Sequence, residues 1–300
     1  MSSVVLLTGA SGFLGRAIAP RLAAAGHRVI GLDPMPAPDP AMRHVVDDLG
    51  DRARLAALLA AEQVTHVIHA GGVSGPMVLS DAPERVMDIN VGRTLNLLQA
   101  AIASRVVTFV YCSSVSAVGD FYQDQPIGED FPLRPTSPYG GSKAAVEMVL
   151  RALWRKVPLD LCALRFTTIY GPGRQTQSVI DDIVAAALAG REAHVEPATD
   201  WPYVYVDDAA QATVAAAFCT TRRQLVYYVA YPEQVALAQI AAAAARVDEP
   251  VRLVIDETRP RAARGSLDIA AARRDFGFAP QVDHREGIRR MVAAAGRRGG

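Results

Sequence analysis

Short apolar runs alternate along the chain with longer segments in which apolar and polar positions recur at helical spacing. That is the pattern of buried strands joined by surface helices. Val4–Leu7 predicts a first strand, Arg16–Ala25 the helix behind it, stopped by Gly26, and His27–Leu32 a second strand. Pro34, Pro36, Pro38 and Pro40 force an extended loop. Arg43–Val46 then predicts a third strand, Arg52–Ala61 a helix and Thr65–Ala70 a fourth strand. One long helix is expected over Pro83–Ser104, with Val91, Leu95, Leu98 and Ala101 on its packed face. Val106–Tyr111 predicts a fifth strand that ends in Cys112-Ser113-Ser114, a helix opens at Pro138, and Leu159–Arg165 predicts a sixth strand. Strand and helix in this order build a parallel doubly wound sheet, whose ligands collect at the strand carboxyl ends. Beyond it lie expected helices at Ile180–Leu188, Ala209–Phe218, Gln234–Arg246 and Ala270–Phe276, and a strand at Val251–Ile255. Asp207 or Asp208 is expected to cap the helix that follows it. No repeat occurs at a solenoid period.

Composition narrows the partners. The 300 residues carry a net charge of +0, which offers no electrostatic case for nucleic acid or a membrane surface. No apolar run approaches the roughly 18 residues of a membrane span. With no signal-peptide pattern at the start either, a soluble cytoplasmic protein is expected. Cys112, Cys162 and Cys219 stand in apolar contexts with no CxxC or histidine spacing, so they predict buried small hydrophobes and no metal site.

The chemistry begins between the first strand and its helix. Gly9, Gly12 and Gly15 leave that turn almost without side chains, which lets backbone N–H groups and a helix N-terminus approach a pyrophosphate. A glycine-rich turn with no ligand reads alike. The second strand, however, ends in Asp33, at about the 20-residue offset where a carboxylate meets a ribose 2′-OH, and this favours NAD over NADP. Asp48 is placed either to bond an adenine amino group or to cap a helix. The small residues of His69-Ala70-Gly71-Gly72-Val73-Ser74 suit a backbone lying against a cofactor, or simply a flexible loop. Asn90, amid apolar neighbours, is either a satisfied structural amide or part of a water relay.

Arginine supplies all but two of the 31 basic residues, the exceptions being Lys143 and Lys156. Lys143 follows Tyr139 by four positions, so the two share a helical face. A phenol with a pKa near 10 is a poor base at neutral pH, and an ammonium beside it favours the phenolate. A surface tyrosine and lysine spaced by accident is the plainer alternative.

Together the glycine loop, Asp33, Asp48-Leu49, His69-Ala70, Asn90-Val91, Ser113-Ser114, Tyr139-Gly140-Gly141-Ser142-Lys143 and Arg165–Gly173 resemble the extended short-chain dehydrogenase/reductase family of the NAD-dependent epimerase/dehydratase type. The resemblance implies an α/β, Rossmann-type doubly wound parallel sheet with a smaller C-terminal α/β substrate lobe. Residues 1–170 would be the NAD-binding domain, with 203–230 returning to it. Residues 171–202 and 231–295 would form the lobe, and 296–300 a frayed tail. It implies that Ser114 bonds the reacting oxygen, that Tyr139 takes the hydroxyl proton, and that Lys143 lowers the phenol's pKa while holding the nicotinamide ribose. NAD would lie on Gly9, Ser11, Gly12, Phe13, Leu14, Gly15, Asp33, Asp48, Leu49, His69, Ala70 and Gly71, besides Tyr139 and Lys143. A homodimer through helices near Pro83–Ser104 and Tyr139–Lys156 is also implied.

The chain departs from the family at the substrate. Thr168 stands where an asparagine is usual, and Trp201-Pro202-Tyr203 where Arg-Asp-Phe is usual, which removes a charge-assisted contact to a nucleotide diphosphate. Arg174 and Arg264 remain as anion partners, and Ser74, Ser114, Thr168 and Arg174 as substrate-binding candidates. The expected reaction is NAD-dependent oxidation of a hydroxyl on a sugar, sugar acid or related polyol. The alternatives are a UDP-glucose 4-epimerase-like enzyme that retains its NAD, and a non-catalytic NAD-sensing scaffold.

Overall fold

The computed structural model describes residues 2–36, 42–121, 125–176, 178–196, 200–245, 251–256, 258 and 265–296. Pro38, Pro40, Arg246, Arg264 and most of the expected C-terminal tail lie outside the described residues.

The first half runs β1 (Val4–Thr8), α1 (Phe13–Ala24), β2 (Arg28–Asp33), β3 (Arg43–Val46), α2 (Arg52–Ala61), β4 (His66–His69), α3 (Pro83–Met87), α4 (Arg93–Ile102), β5 (Thr108–Ser114), α5 (Pro138–Leu153) and β6 (Asp160–Phe166). The second half continues with β7 (Ile169–Tyr170), α6 (Val179–Ala189), β8 (Ala193–Val195), β9 (Val204–Tyr205), α7 (Val206–Phe218), β10 (Val226–Val229), α8 (Leu237–Ala244), β11 (Leu253–Ile255), α9 (Ala270–Phe276) and α10 (His284–Gly296).

Seven strands form one parallel sheet in the order β10-β6-β5-β4-β1-β2-β3. The chain winds outward from β1 to β3 and then resumes at β4 on the other side of β1. A crevice opens at such a reversal, beyond the strand carboxyl ends. The apolar runs are continuous because both sheet faces are covered. Val5, Leu7, Val110 and Cys112 pack on one side with Ile18 and Leu22 of α1 and the alanines of α7. Leu6, Phe109 and Tyr111 pack on the other with Leu55 and Leu59 of α2, Leu97 and Leu98 of α4 and Val146 of α5. Away from this sheet, β8 pairs with β11 and β7 with β9, both in parallel, and α6, α8 and α10 pack on one another.

The pattern predicts neither strand β10 nor helix α10, and several expectations change in detail. Helix α1 starts at Phe13 rather than Arg16, because Gly12 already takes the capping conformation. The helix expected over Pro83–Ser104 is interrupted by a π-helical turn, Asp88–Gly92, which directs Asn90 inward. Neither Asp207 nor Asp208 caps α7, whose N-cap is Tyr205. Asp208 instead accepts the backbone N–H groups of Gln281 (2.9 Å) and Val282 (3.0 Å), which ties the C-terminal segment down, and Asp207 pairs with Arg21 and Arg290. Cys112 and Cys162 are buried, whereas Cys219 is partly exposed and donates to the Asp275 carbonyl. Among the described residues no helix is long and apolar enough to cross a membrane.

Candidate active site

A cleft of about 930 Å³ runs along the carboxyl ends of the central strands, from Asp33 and Asp48 at one end to Trp201 and Tyr203 at the other. Its floor is the glycine turn. Gly9 has φ +68°, and a Cβ there would stand 2.6 Å from the Gly71 nitrogen; a Cβ on Gly15 would stand 2.1 Å from the Gly9 carbonyl oxygen. Both positions exclude side chains for lack of room. Gly12 offers no side-chain acceptor to the first turn of α1. The N–H groups of Phe13, Leu14 and Gly15 therefore stay available for an anion in the cleft.

Asp33 ends β2, is 8% exposed, and accepts the backbone N–H groups of Ser11 (3.2 Å) and Met35 (2.9 Å). Ser11 is outside the cleft lining, and its hydroxyl donates to the Met35 carbonyl. Asp48 lines the cleft and pairs with Arg93 at 2.6 Å, and the Gly50 N–H foremost holds its carboxyl below the usual range. Capping of α2 belongs to Asp51, which accepts from Ala53 and Arg54, so the helix-cap reading of Asp48 is corrected. Leu49 also lines the cleft, in the left-handed region at φ +64°. Asp47, which accepts its N–H at 2.8 Å, and Asn96, which donates to its carbonyl, hold it there.

His69, Ala70 and Gly71 form the wall directly beside the glycine turn. The imidazole of His69 is spent internally. Thr8 Oγ1 accepts the Gly71 N–H and shares a hydrogen bond of 2.6 Å with His69 Nδ1, and His69 Nε2 shares one of 2.7 Å with Thr94 Oγ1. Burial holds this histidine down to about 3, so it is neutral. Asn90, 2% exposed, accepts the Val73 N–H at 2.7 Å and donates to the Val73 carbonyl and Ser142 Oγ. Of its two readings the satisfied structural amide is the one seen, and it fixes the loop that carries Ser74 and Gly75.

Helix α5 brings the reactive groups together. Ser137 caps it by accepting the Gly140 N–H, and Pro138 occupies its first turn. Gly140 packs so tightly that a Cβ would stand 2.2 Å from the Ser116 carbonyl oxygen, which sets α5 against the end of β5. Tyr139, Lys143 and Ser114 all line the cleft. Lys143 is 6% exposed, its ammonium donates to the Cys112 carbonyl at 2.8 Å, and it lies 4.8 Å from the Tyr111 ring and 5.7 Å from that of Tyr139. Burial pulls its pKa down to about 8. Burial likewise raises the Tyr139 phenol above its ordinary value, against the opposing pull of hydrogen bonds from Ser114 and the Gly75 backbone and of the Arg174 charge. The phenol is thus not already acidic in the free chain, contrary to the simple expectation from its lysine neighbour. Desolvation outweighs the stabilising contacts.

At the far end, Thr168 lines the cleft together with Trp201 and Tyr203, which are 5% and 7% exposed. Arg174 also lines it, but its Nε donates to the Thr176 carbonyl at 2.9 Å and one terminal nitrogen to the Ile169 carbonyl. Ser74 is exposed at the rim. Sequence reasoning missed the buried Glu147–Arg165 pair just behind Ser113. Its one visible signal was that Glu147 follows Lys143 at the same spacing as Lys143 follows Tyr139.

The switch-point crevice, the glycine turn, the acid ending β2 and the Ser–Tyr–Lys group define a dinucleotide-dependent α/β enzyme. The chain belongs to the NAD dependent epimerase/dehydratase family, whose model matches residues 5–224. It is an NAD-dependent enzyme of the extended short-chain dehydrogenase/reductase type. It is similar to a UDP-glucose 4-epimerase of Mycolicibacterium smegmatis, at 30% identity over 96% of each chain. A 2-alkyl-3-oxoalkanoate reductase of Stenotrophomonas maltophilia is 27% identical over 97% of this chain and 99% of the relative. In structure it resembles the Thermus thermophilus UDP-glucose 4-epimerase in complex with NAD, with a TM-score of 0.84 at 26% identity over 97% and 98% of the two chains.

Proposed function

We propose that the chain oxidises a hydroxyl-bearing carbon of a sugar, sugar acid or related polyol that carries no nucleotide. The observation behind this choice lies at the far end of the cleft. Trp201 takes the place of an arginine that would grip a diphosphate, and Arg174 already gives two of its nitrogens to backbone carbonyls. A doubly charged diphosphate needs more donors than that. One relative is named for a 2-alkyl-3-oxoalkanoate, an acid without a nucleotide, so the scaffold does not require one.

The cleft fits NAD. The first-turn N–H groups of α1 would take the pyrophosphate, Asp33 the adenosine ribose, Asp48 and Leu49 the adenine side, and the wall at His69–Gly71 the cofactor's backbone-facing edge. NAD, when bound, supplies the hydride acceptor. Tyr139 takes the proton of the substrate hydroxyl. Ser114 accepts the Ser116 N–H at 3.1 Å, and the proton it directs to Tyr139 in the free chain would turn to the reacting oxygen once substrate is bound. Lys143, fixed on Cys112, holds a positive charge beside the phenolate as it forms. The lobe built by α6, α8 and α10 would close over the substrate, with Ser74, Thr168 and Arg174 against it.

Dialysed protein given NAD and a panel of sugars and sugar acids should produce NADH. No NADH from any of them, with UDP-glucose converted at no net cost in NAD, would overturn the reading in favour of an epimerase. That second reading is favoured by the epimerase relatives. We further propose a homodimer through α4 and α5, beside which Met87 and Met148 are exposed. A monomer in sedimentation at micromolar concentration would remove it.

A further inference from the structure

Beneath Tyr139 and Lys143 the same face of α5 carries a third functional group. Glu147, 2% exposed, lies one turn past Lys143. Its carboxylate accepts Arg165 Nε at 3.0 Å and a terminal nitrogen at 2.7 Å, and also the Ser113 hydroxyl. Arg165, 1% exposed, directs its other terminal nitrogen to the Glu129 carbonyl and the Tyr228 hydroxyl. Three consecutive residues at the end of β5 meet this line of side chains. Cys112 receives Lys143, Ser113 reaches Glu147 and Ser114 bonds Tyr139.

We propose that Glu147 is a positioning residue for proton transfer: its buried carboxylate keeps Lys143 an ammonium and seats the Ser113-Ser114 strand end beside Tyr139. A buried ammonium sheds its proton unless a counter-charge stands near. The titratable groups around Lys143 are Tyr111 and Cys112 from β5, Tyr139 and Glu147 from α5, and His69 from β4, with Arg165 of β6 behind Glu147. His69 is neutral, and burial pushes Tyr111, Cys112 and Tyr139 upward, so these are neutral too. Among these groups, the negative charge comes from Glu147. If Glu147 served only to neutralise Arg165, removing both partners together would leave Lys143 unaffected.

The inference rests on Lys143 serving Tyr139 as proposed, but its test needs no turnover. Because Lys143 and the exposed Lys156 are the chain's two lysines, protein labelled at the lysine ε-carbon gives two resonances that can be titrated by NMR. In Glu147→Gln the Lys143 midpoint should fall by about one pH unit or more. In Glu147→Gln/Arg165→Gln, which leaves no orphan cation, it should fall in the same direction by less. Glu147→Asp should stay closer to the parent, and Lys156 should not move. A parental Lys143 midpoint in either folded variant lacking Glu147 overturns the proposal, and if the single variant does not fold the double one decides. Failure of the underlying reading looks different, namely turnover that survives Lys143→Met.

Discussion

The Lys143 ammonium donates to the carbonyl oxygen of Cys112 across 2.8 Å, so the cation of α5 is held by the backbone of β5 two residues before Ser114. That bond ties the lysine to the carboxyl end of an interior strand and keeps it from being a mobile charge. Lys143→Met should therefore leave the fold intact, because an apolar chain of similar length fills the same buried path. Turnover should fall by roughly 10²–10⁴-fold, the range for loss of assisted proton transfer. Tyr139→Phe should lose as much while keeping NAD affinity, and steady-state kinetics set beside NAD titration by fluorescence separates the two effects.

At the glycine turn the constraint is steric. Gly9→Ala adds a Cβ 2.6 Å from the Gly71 nitrogen at a φ of +68°. It pushes the wall of the cleft away from the turn, and NAD binding measured by calorimetry should drop at least tenfold. An unchanged dissociation constant would show that the cofactor does not lie on this turn.

Asp33 is held by two backbone N–H groups at the end of β2, where its charge faces the cleft. Asp33→Ser removes the repulsion toward a 2′-phosphate and a partner for ribose hydroxyls. The ratio of NAD to NADP affinity should fall by about tenfold or more, each bond to a charged group being worth about 1.5–3 kcal/mol. Competitive titration of both dinucleotides reads it directly.

Acid should weaken the fold through the half-buried His66 and the buried His69. Burial holds His66 down to about 4 and His69 down to about 3, against an ordinary 6.5. The unfolded chain therefore takes up these protons first. Their contribution to stability is full above pH 6.5 and is lost progressively as pH falls through 6.5 toward 4 and 3. Urea denaturation at stepped pH should show this decline, and His66→Gln should flatten its upper part.

The Glu147–Arg165 pair predicts an asymmetry in stability. Removing one member strands a charge in the core, at a cost of about 3–5 kcal/mol, whereas removing both costs less. Chemical denaturation of Arg165→Gln and of the double variant should therefore rank the single variant as the less stable.

The sequence by itself determined neither the seventh strand, β10, nor the order of the strands in the sheet, but it did determine the first six strands of the parallel sheet, the glycine turn and the helical spacing of Tyr139 and Lys143. These are properties of neighbours in the chain: apolar periodicity, the room a missing Cβ leaves, and side chains set four apart. It also contained Asn90 and Glu147, but not what they touch. Only the tertiary structure decided that Asn90 leaves the helical pattern through a π turn to hold Val73, that Asp51 rather than Asp48 caps α2, and that Asp208 holds Gln281 and Val282 instead of capping α7. It alone set the Tyr139 phenol above its ordinary range, since the burial that outweighs the lowering pull of Ser114 and Arg174 comes from segments distant in sequence. The reason is physical. Element type follows from local periodicity, whereas the partner of a polar group and the cost of its desolvation are set by whatever the fold brings around it.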